Sequence, residues 1–384
     1  MLISQDEESG KIVLDSLNYL TDTHPKFWKG KIEIFIDIVC KIAMEKKIKS
    51  TIRSSALELV YSLTKKIPAV LRKSNNFLNI FIPLLFQLLL EIDNENNIQN
   101  WEKMIDEDES DREEMFYIVK SGIERLSIDL GGKFFMETTV KYIQKFLQSQ
   151  NWIEIHAGFF VLACMAEGCS KVFNSHLLEL MNFISTGLVN AHPRVRYAAL
   201  VAFCALLKET APKPQKEYTN NILTGLATLM SEKESSLKVK AQACKVLVEF
   251  LRGLLVENKD QDEKCSILQP YSEQLIQLLS SLFEESLKLS YPPLQEASLN
   301  NLSVLANILE KDFSPYYDKI MPGLKKLYYS LIPQTSEQKI LKSHCIETIS
   351  YLFSSVSEEA SKYMSDLKEI AEAFAKDLSS LPEE

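Results

Sequence analysis

The 384 residues include only 11 glycines and 13 prolines, and these fall mainly between apolar runs. So few chain breakers argue against a fold of many tight turns and leave long helices joined by short connections. Histidine is scarcer still: the five present do not cluster. No nucleophile elbow, phosphate-binding loop, dinucleotide fingerprint or zincin pattern occurs, so no enzyme is expected. The seven cysteines are an odd number, and Cys164 and Cys169 have no second Cys or His pair to complete a metal site. Cys40, Cys164, Cys204, Cys244 and Cys345 sit within apolar helical stripes, which reads as small core residues in a reducing compartment. Neither a metal nor a cofactor is expected.

A basic surplus is missing too. The net charge of −9 removes the electrostatic footprint that nucleic acid requires. No run of eighteen apolar residues occurs, and the opening MLISQDEESGK is acidic where a leader would be basic and then apolar, so neither membrane insertion nor a leader is expected. The negative charge is concentrated. Between Glu91 and Glu114 eleven acidic residues oppose Lys103 and Arg112, so this stretch alone nets −9 and the remainder of the chain sums to zero.

What the chain has in plenty is one repeated pattern. HPRVRYAALVAFCALLKET, His192 to Thr210, opens with a proline suited to a first helical turn and continues with small apolar residues at helical spacing. Asn151 to Gly168 repeats it with His156 in the place of Arg196 and Cys164 in that of Cys204; Leu237 to Gly253 repeats it with Lys240. Ser50 to Lys65, Pro293 to Leu309 and Lys339 to Val356 carry Arg53, Gln295 and Lys342 at the same register. The best copies lie near forty residues apart, the period of HEAT or armadillo helix pairs. Each is preceded by a second apolar helix: 31–45, 77–91, 134–148, 176–189, 218–231, 271–287 and 315–331.

The expected fold is therefore all-α, a right-handed α-solenoid of about eight HEAT-type pairs of an A and a B helix. Its parts are repeats over 1–91, an acidic insertion over 92–112, further repeats over 113–378 and a tail over 379–384. Ile12 to Thr23 reads as a B helix without its A helix, so missing upstream repeats are expected in preference to a partner's cap, and Ser361 to Leu378 reads as a helix without a B partner, truncated or capped in its turn. The insertion reads as a solvated linker, although Trp101 within it suggests a docking place. Val256 to Cys265 reads as a surface loop, and Pro83 and Pro322 as first-turn prolines.

Three carboxylates stand out on B helices: Glu124, Glu167 and Glu209. The last two read as last-turn residues, where the helix dipole disfavours negative charge by about 0.3–1 kcal/mol. Taken singly they are ordinary surface glutamates. Taken as a row they match a ligand, because packed helices lie about 8–10 Å apart and an extended peptide advances about 3.3 Å per residue, so acids one repeat apart meet basic side chains about three residues apart. Glu249 extends the row. Arg194 and Arg196 read as bridges to carboxylates of a neighbouring repeat, and Trp152 as a packing residue.

LGGK (Leu130 to Lys133), HAGFFVLACMAEGC (His156 to Cys169), HPRVRYAA (His192 to Ala199) and SPYYDKIMPGLK (Ser314 to Lys325), in that order behind an acidic insertion, resemble the importin-beta (karyopherin-beta) family, most closely its karyopherin-beta-3 branch. The resemblance implies a central segment of a nuclear transport receptor. Such a receptor binds Lys/Arg-rich nuclear localisation signals on a concave acidic face, passes the pore on phenylalanine-glycine nucleoporins, releases cargo to Ran-GTP and shuttles between cytoplasm and nucleus. It places cargo contacts on Glu124, Glu167 and Glu209, and cargo or Ran contacts on Asp106, Glu107, Asp108, Glu109 and Asp111. Glu249, in LVEF, stands where relatives commonly have Asn, and the amino-terminal repeats that make the main Ran contact are absent here. A static HEAT scaffold for a multiprotein complex such as a phosphatase is the alternative.

Overall fold

The computed structural model describes residues 7–92, 98–103, 115–256, 261–331 and 335–379, and among them there are helices and no strand. The chain forms two compact units, Met1–Thr210 and Ala211–Glu384.

The first unit opens with α1 (Glu7–Thr23) and the pair α2 (Ile32–Met44) and α3 (Ser50–Lys66), followed by the single turn α4 (Pro68–Leu71). A π turn at Phe77–Phe81 leads into α5 (Ile82–Leu88), and the short α6 (Ile98–Lys103) precedes α7 (Met115–Asp129). The pairs α8 (Gly132–Leu147) with α9 (Trp152–Ser175) and α10 (Leu177–Leu188) with α11 (Pro193–Thr210) complete it. The second unit runs α12 (Lys213–Glu217), α13 (Thr219–Ser231), α14 (Leu237–Leu255), α15 (Gln261–Lys288), α16 (Pro292–Leu309), α17 (Tyr317–Ser330), α18 (Ser336–Ser355) and α19 (Ala360–Ser379). Each unit is a stack of HEAT-type helix pairs, as the forty-residue period requires.

Local chemistry starts these helices where the sequence punctuates them. Asn151 accepts from the Ile153 amide at 3.0 Å, Ser236 from Val239 at 3.3 Å, and Thr335 and Gln338 form a reciprocal capping box, each satisfying amides that a helix start leaves unpaired. The B helices then stack on one another, α1 on α3, α7, α9 and α11 in the first unit and α14 on α16 and α18 in the second, while the A helices pack behind them. Being covered from three directions, B helices bury far more than one stripe. In α14 even Lys238, Lys240 and Gln242 are buried.

On four of the B helices the variable position near the start does one physical job, whereas His156 at that place on α9 is buried with its Nδ1 unpaired among the described residues. Arg53 Nε donates to the Ala43 carbonyl at the end of α2, at 2.7 Å. Gln295 reaches the Ser286 carbonyl at 3.0 Å, Lys342 that of Leu331 at 3.4 Å, and Arg196 that of Asn190 at 3.0 Å. The last carbonyls of an A helix have no intrahelical partner, and this side chain supplies one. Arg53 and Lys240 also pair with the carboxylates of Glu91 and Glu285, near the end of the following A helix.

Several expectations need correction. Arg196 holds backbone carbonyls, not a carboxylate, in its described bonds. Pro83 is in a first turn, directly after the π turn, whereas Pro322 lies inside α17. The expected loop at Val256 to Cys265 is in part helix, because α15 begins at Gln261 and accommodates Pro270 internally. Among the described residues α9 is long and apolar enough to cross a membrane by length and composition, although no unbroken apolar run predicts it; its apolar surface is taken up by α7, α8 and α11.

Candidate functional site

The three carboxylates lie on consecutive B helices of the first unit: Glu124 on α7, Glu167 on α9 and Glu209 on α11. Glu124 and Glu167 are exposed, and neither has a side-chain hydrogen bond or ion pair among the described residues. Glu209 is half-buried and lies 3.6 Å from the ammonium of Lys208, its chain neighbour. Glu167 is not in a last turn, since α9 continues to Ser175; the dipole argument holds for Glu209 alone. Glu249 belongs to the second unit, on α14, where Arg252 of the same helix pairs with it at 2.9 Å. Asp106, Glu107, Asp108, Glu109 and Asp111 lie outside the described residues.

Two sequence motifs set the spacing of the first two carboxylates. Gly168, the residue after Glu167, faces Ser127 of α7 so closely that an added Cβ would collide with the Ser127 backbone. Ser127 in turn donates to the Glu124 carbonyl at 2.8 Å. On the other side Gly132 faces the Gly168 carbonyl with no room for a Cβ, and the Cys169 thiol points to the Gly132 carbonyl at 3.4 Å. Gly131, between helices α7 and α8, takes φ +82, a conformation that glycine adopts without steric cost. LGGK and AEGC are therefore the two faces of one close helix contact, and Glu124 and Glu167 stand at its rim.

The cations around this row were not evident from periodicity. Arg125, beside Glu124, is turned away to Glu58 of α3, at 2.7 and 2.8 Å. Lys120, one turn before Glu124, lies 5.0 Å from the centroid of the Phe160 ring. Because Arg125 is engaged with the previous B helix, it does not neutralise Glu124.

At the opposite end of the same helices, an aromatic and cationic cluster forms. Trp152, at the start of α9, stacks on His192 with centroids 4.0 Å apart and planes 7° apart. The Arg194 guanidinium sits 5.6 Å from the centroids of both Trp152 and Trp101, and Trp101 meets Tyr197 edge-on at 5.6 Å. Trp101 thus has the docking place its presence in an acidic insertion suggested, and Trp152 is a stacking partner as well as a packing residue. Burial, then Arg194, His192 and Lys120, push the His156 imidazole down to about 3; burial, then Arg194 and Arg196, lower His192. At both imidazoles burial and the neighbouring cations act in the same direction, against the protonated form.

Behind the B helices, α8, α10 and the end of α9 enclose an apolar groove of about 530 Å³ lined by Met136, Val140, Leu147, Val172, Leu180 and Phe183, with Lys133, Glu137 and Glu179 at its edges. Among the described residues no group of three His, Cys, Asp or Glu side chains is placed to hold a metal.

An importin repeat model matches residues 45–137. Importin subunit beta-3 of Saccharomyces cerevisiae is 24% identical over 349 residues, covering 90% of this chain and 30% of that protein. A probable importin subunit beta-4 of Schizosaccharomyces pombe is 24% identical over 355 residues, covering 92% of this chain and 30% of its own length. Among solved structures, Kap121p bound to Pho4p is similar with a TM-score of 0.84 at 22% identity, over 98% of this chain and 35% of that one. Kap121p bound to Nup53p gives 0.82 at 23%, over 95% and 34%. The chain spans about a third of the length of these relatives, and the resemblance read from its motifs is borne out.

Proposed function

From a chain related to the importin-beta family along nine-tenths of its length, we propose that this segment serves a nuclear transport receptor by holding an extended Lys/Arg-rich segment, the nuclear localisation signal of a cargo protein. The observation that carries the reading is the pair Glu124 and Glu167, exposed and without side-chain partners among the described residues, on B helices locked together at Ser127 and Gly168. Glu209 continues the row on α11, and Glu249 is a further acidic contact on α14. Acids on consecutive packed helices suit lysines about three residues apart on an extended guest. Electrostatic complementarity on a rigid surface then sets register and encounter rate, with no bond chemistry.

The remaining partners follow from the same kinship. Phenylalanine-glycine nucleoporins are proposed to use the groove between α8 and α10, whose walls include Met136, Val140, Leu180 and Phe183. Ran-GTP is proposed to release the cargo, with Asp106, Glu107, Asp108, Glu109 and Asp111 of the insertion as contacts to cargo or Ran, and the receptor to shuttle between cytoplasm and nucleus.

The test is retention on the immobilised chain. The chain is expected to retain a purified Lys-rich nuclear localisation peptide and a phenylalanine-glycine repeat fragment, and to lose the peptide when GTP-loaded Ran is added. Retention of neither, with a stoichiometric catalytic subunit bound in their place, would identify a static scaffold.

A further inference from the structure

Among its described residues, the insertion places one ring, that of Trp101, on the helix stack. Trp101 lies in α6, ahead of the B helix α7, yet its described ring contacts are with Tyr197 and Arg194 in the first turns of α11, two B helices further along the stack. Arg194 lies as close to the Trp152 ring as to that of Trp101. The guanidinium is therefore shared between an indole that belongs to the stack and one that arrives from the insertion. Trp152 is itself held flat by the His192 ring at 4.0 Å, so the receiving surface is built from the starts of two helices whether or not Trp101 is there.

The chemistry of this surface defines what it accepts. Stacked planar groups around a guanidinium favour another aromatic face, because the ring quadrupole attracts the cation. Arg194, Arg196 and Lys120 make the surroundings positive; burial first, and these cations after it, lower the histidines beside them. The stretch that delivers Trp101 carries a net charge of −9 in the sequence, from Glu91 to Glu114. An aromatic ring embedded in acid thus meets an aromatic socket embedded in base.

We infer that Trp152, Arg194 and Tyr197 form a docking site for an aromatic side chain carried on an acidic peptide, and that Trp101 fills this site from within the same chain. A tethered occupant competes at high effective concentration, so an outside peptide of the same chemistry gains access only when Trp101 is removed. The site lies at the starts of α9 and α11, apart from Glu167 and Glu209, and does not depend on the Lys-rich guest proposed for them.

The experiment uses the full chain, as wild type and as Trp101→Ala, with a fluorescently labelled peptide of sequence 92–112 as probe. Anisotropy titration is expected to show binding to Trp101→Ala about tenfold or more tighter than to wild type, as release of a tethered competitor requires. A second peptide with alanine in place of its tryptophan is expected to lose that binding. Equal affinity for the two proteins, or equal binding of the two peptides, would overturn the inference. The two peptides are compared on one and the same Trp101→Ala protein with Trp152, Arg194 and Tyr197 intact, so the comparison does not depend on any substitution in the socket.

Discussion

The guanidinium of Arg53 holds both carboxylate oxygens of Glu91, at 2.9 and 3.1 Å, while its Nε takes the Ala43 carbonyl at 2.7 Å. One buried side chain on α3 thereby closes α2 before it and fastens Glu91, just beyond the end of α5. Lys240 on α14 repeats the second half of this arrangement with Glu285. Removing Arg53 leaves a carbonyl and a carboxylate without their shared donor, and the loss of a charge-assisted partner from a part-buried site costs about 2–3 kcal/mol. Arg53→Met is expected to lower the unfolding free energy of the first unit by that amount, read as a lower urea midpoint at unchanged slope. An unchanged midpoint would mean that water replaces the guanidinium at no cost.

Close helix approach is a second requirement of the stack. Gly122 on α7 lies against the ring of buried Tyr61 on α3, and an added Cβ would fall within that ring. Since the ring is walled in, Gly122→Ala should destabilise the first unit by about 1–3 kcal/mol through overpacking. Pairing it with Tyr61→Leu should recover part of the loss. A silent Gly122→Ala in thermal melting would show that α3 and α7 can separate freely.

The second unit contains a titrating bridge. His344 of α18 faces Glu296 of α16 at 3.3 Å and Glu347 of its own helix at 3.5 Å, and the charge of Lys245 of α14 also acts on Glu296. Hydrogen bonding to Glu296, with smaller help from the charges of Glu296 and Glu347, raises the imidazole above its ordinary value. A raised base stabilises the fold fully below its unfolded value near 6.5 and loses that contribution as pH climbs through the raised value. Glu296 is lowered by the same bond, so its share is present above the ordinary carboxylate range and is lost on acidification through the lowered value. Stability of this unit is expected to peak between about pH 5 and 6.5 and to fall toward pH 8, and His344→Gln should flatten the fall. Thermal melting across that range checks both, and an identical slope in wild type and variant would exclude the bridge.

How much of this was legible in the sequence depends on the range of the interaction. Helix pairs and the variable position occupied by Arg53, Lys240, Gln295 and Lys342 follow from near-neighbour periodicity, and their register is as read. Boundaries failed where a helix ran through an expected stop: α9 continues seven residues past Gly168 to Ser175, and α15 absorbs part of an acidic stretch. A glycine at close contact with Ser127 looks, in sequence, like a helix end. The Trp101, Arg194 and Trp152 cluster joins residues up to 93 positions apart and has no period to betray it. The acidic row was legible as residues but not as an environment, because Arg125 and Lys208 beside it engage Glu58 and Glu209 through geometry that spacing does not encode.

The account rests on the carboxylates of α7, α9 and α11 acting together, and fluorescence titration of a Lys-rich nuclear localisation peptide against the chain and its Glu124→Lys, Glu167→Lys and Glu209→Lys triple variant tests it most directly. The expected result is a loss of affinity of about 100-fold or more at low salt, with wild-type binding that weakens steeply as salt rises. Equal affinity of the two proteins across the salt series would contradict it.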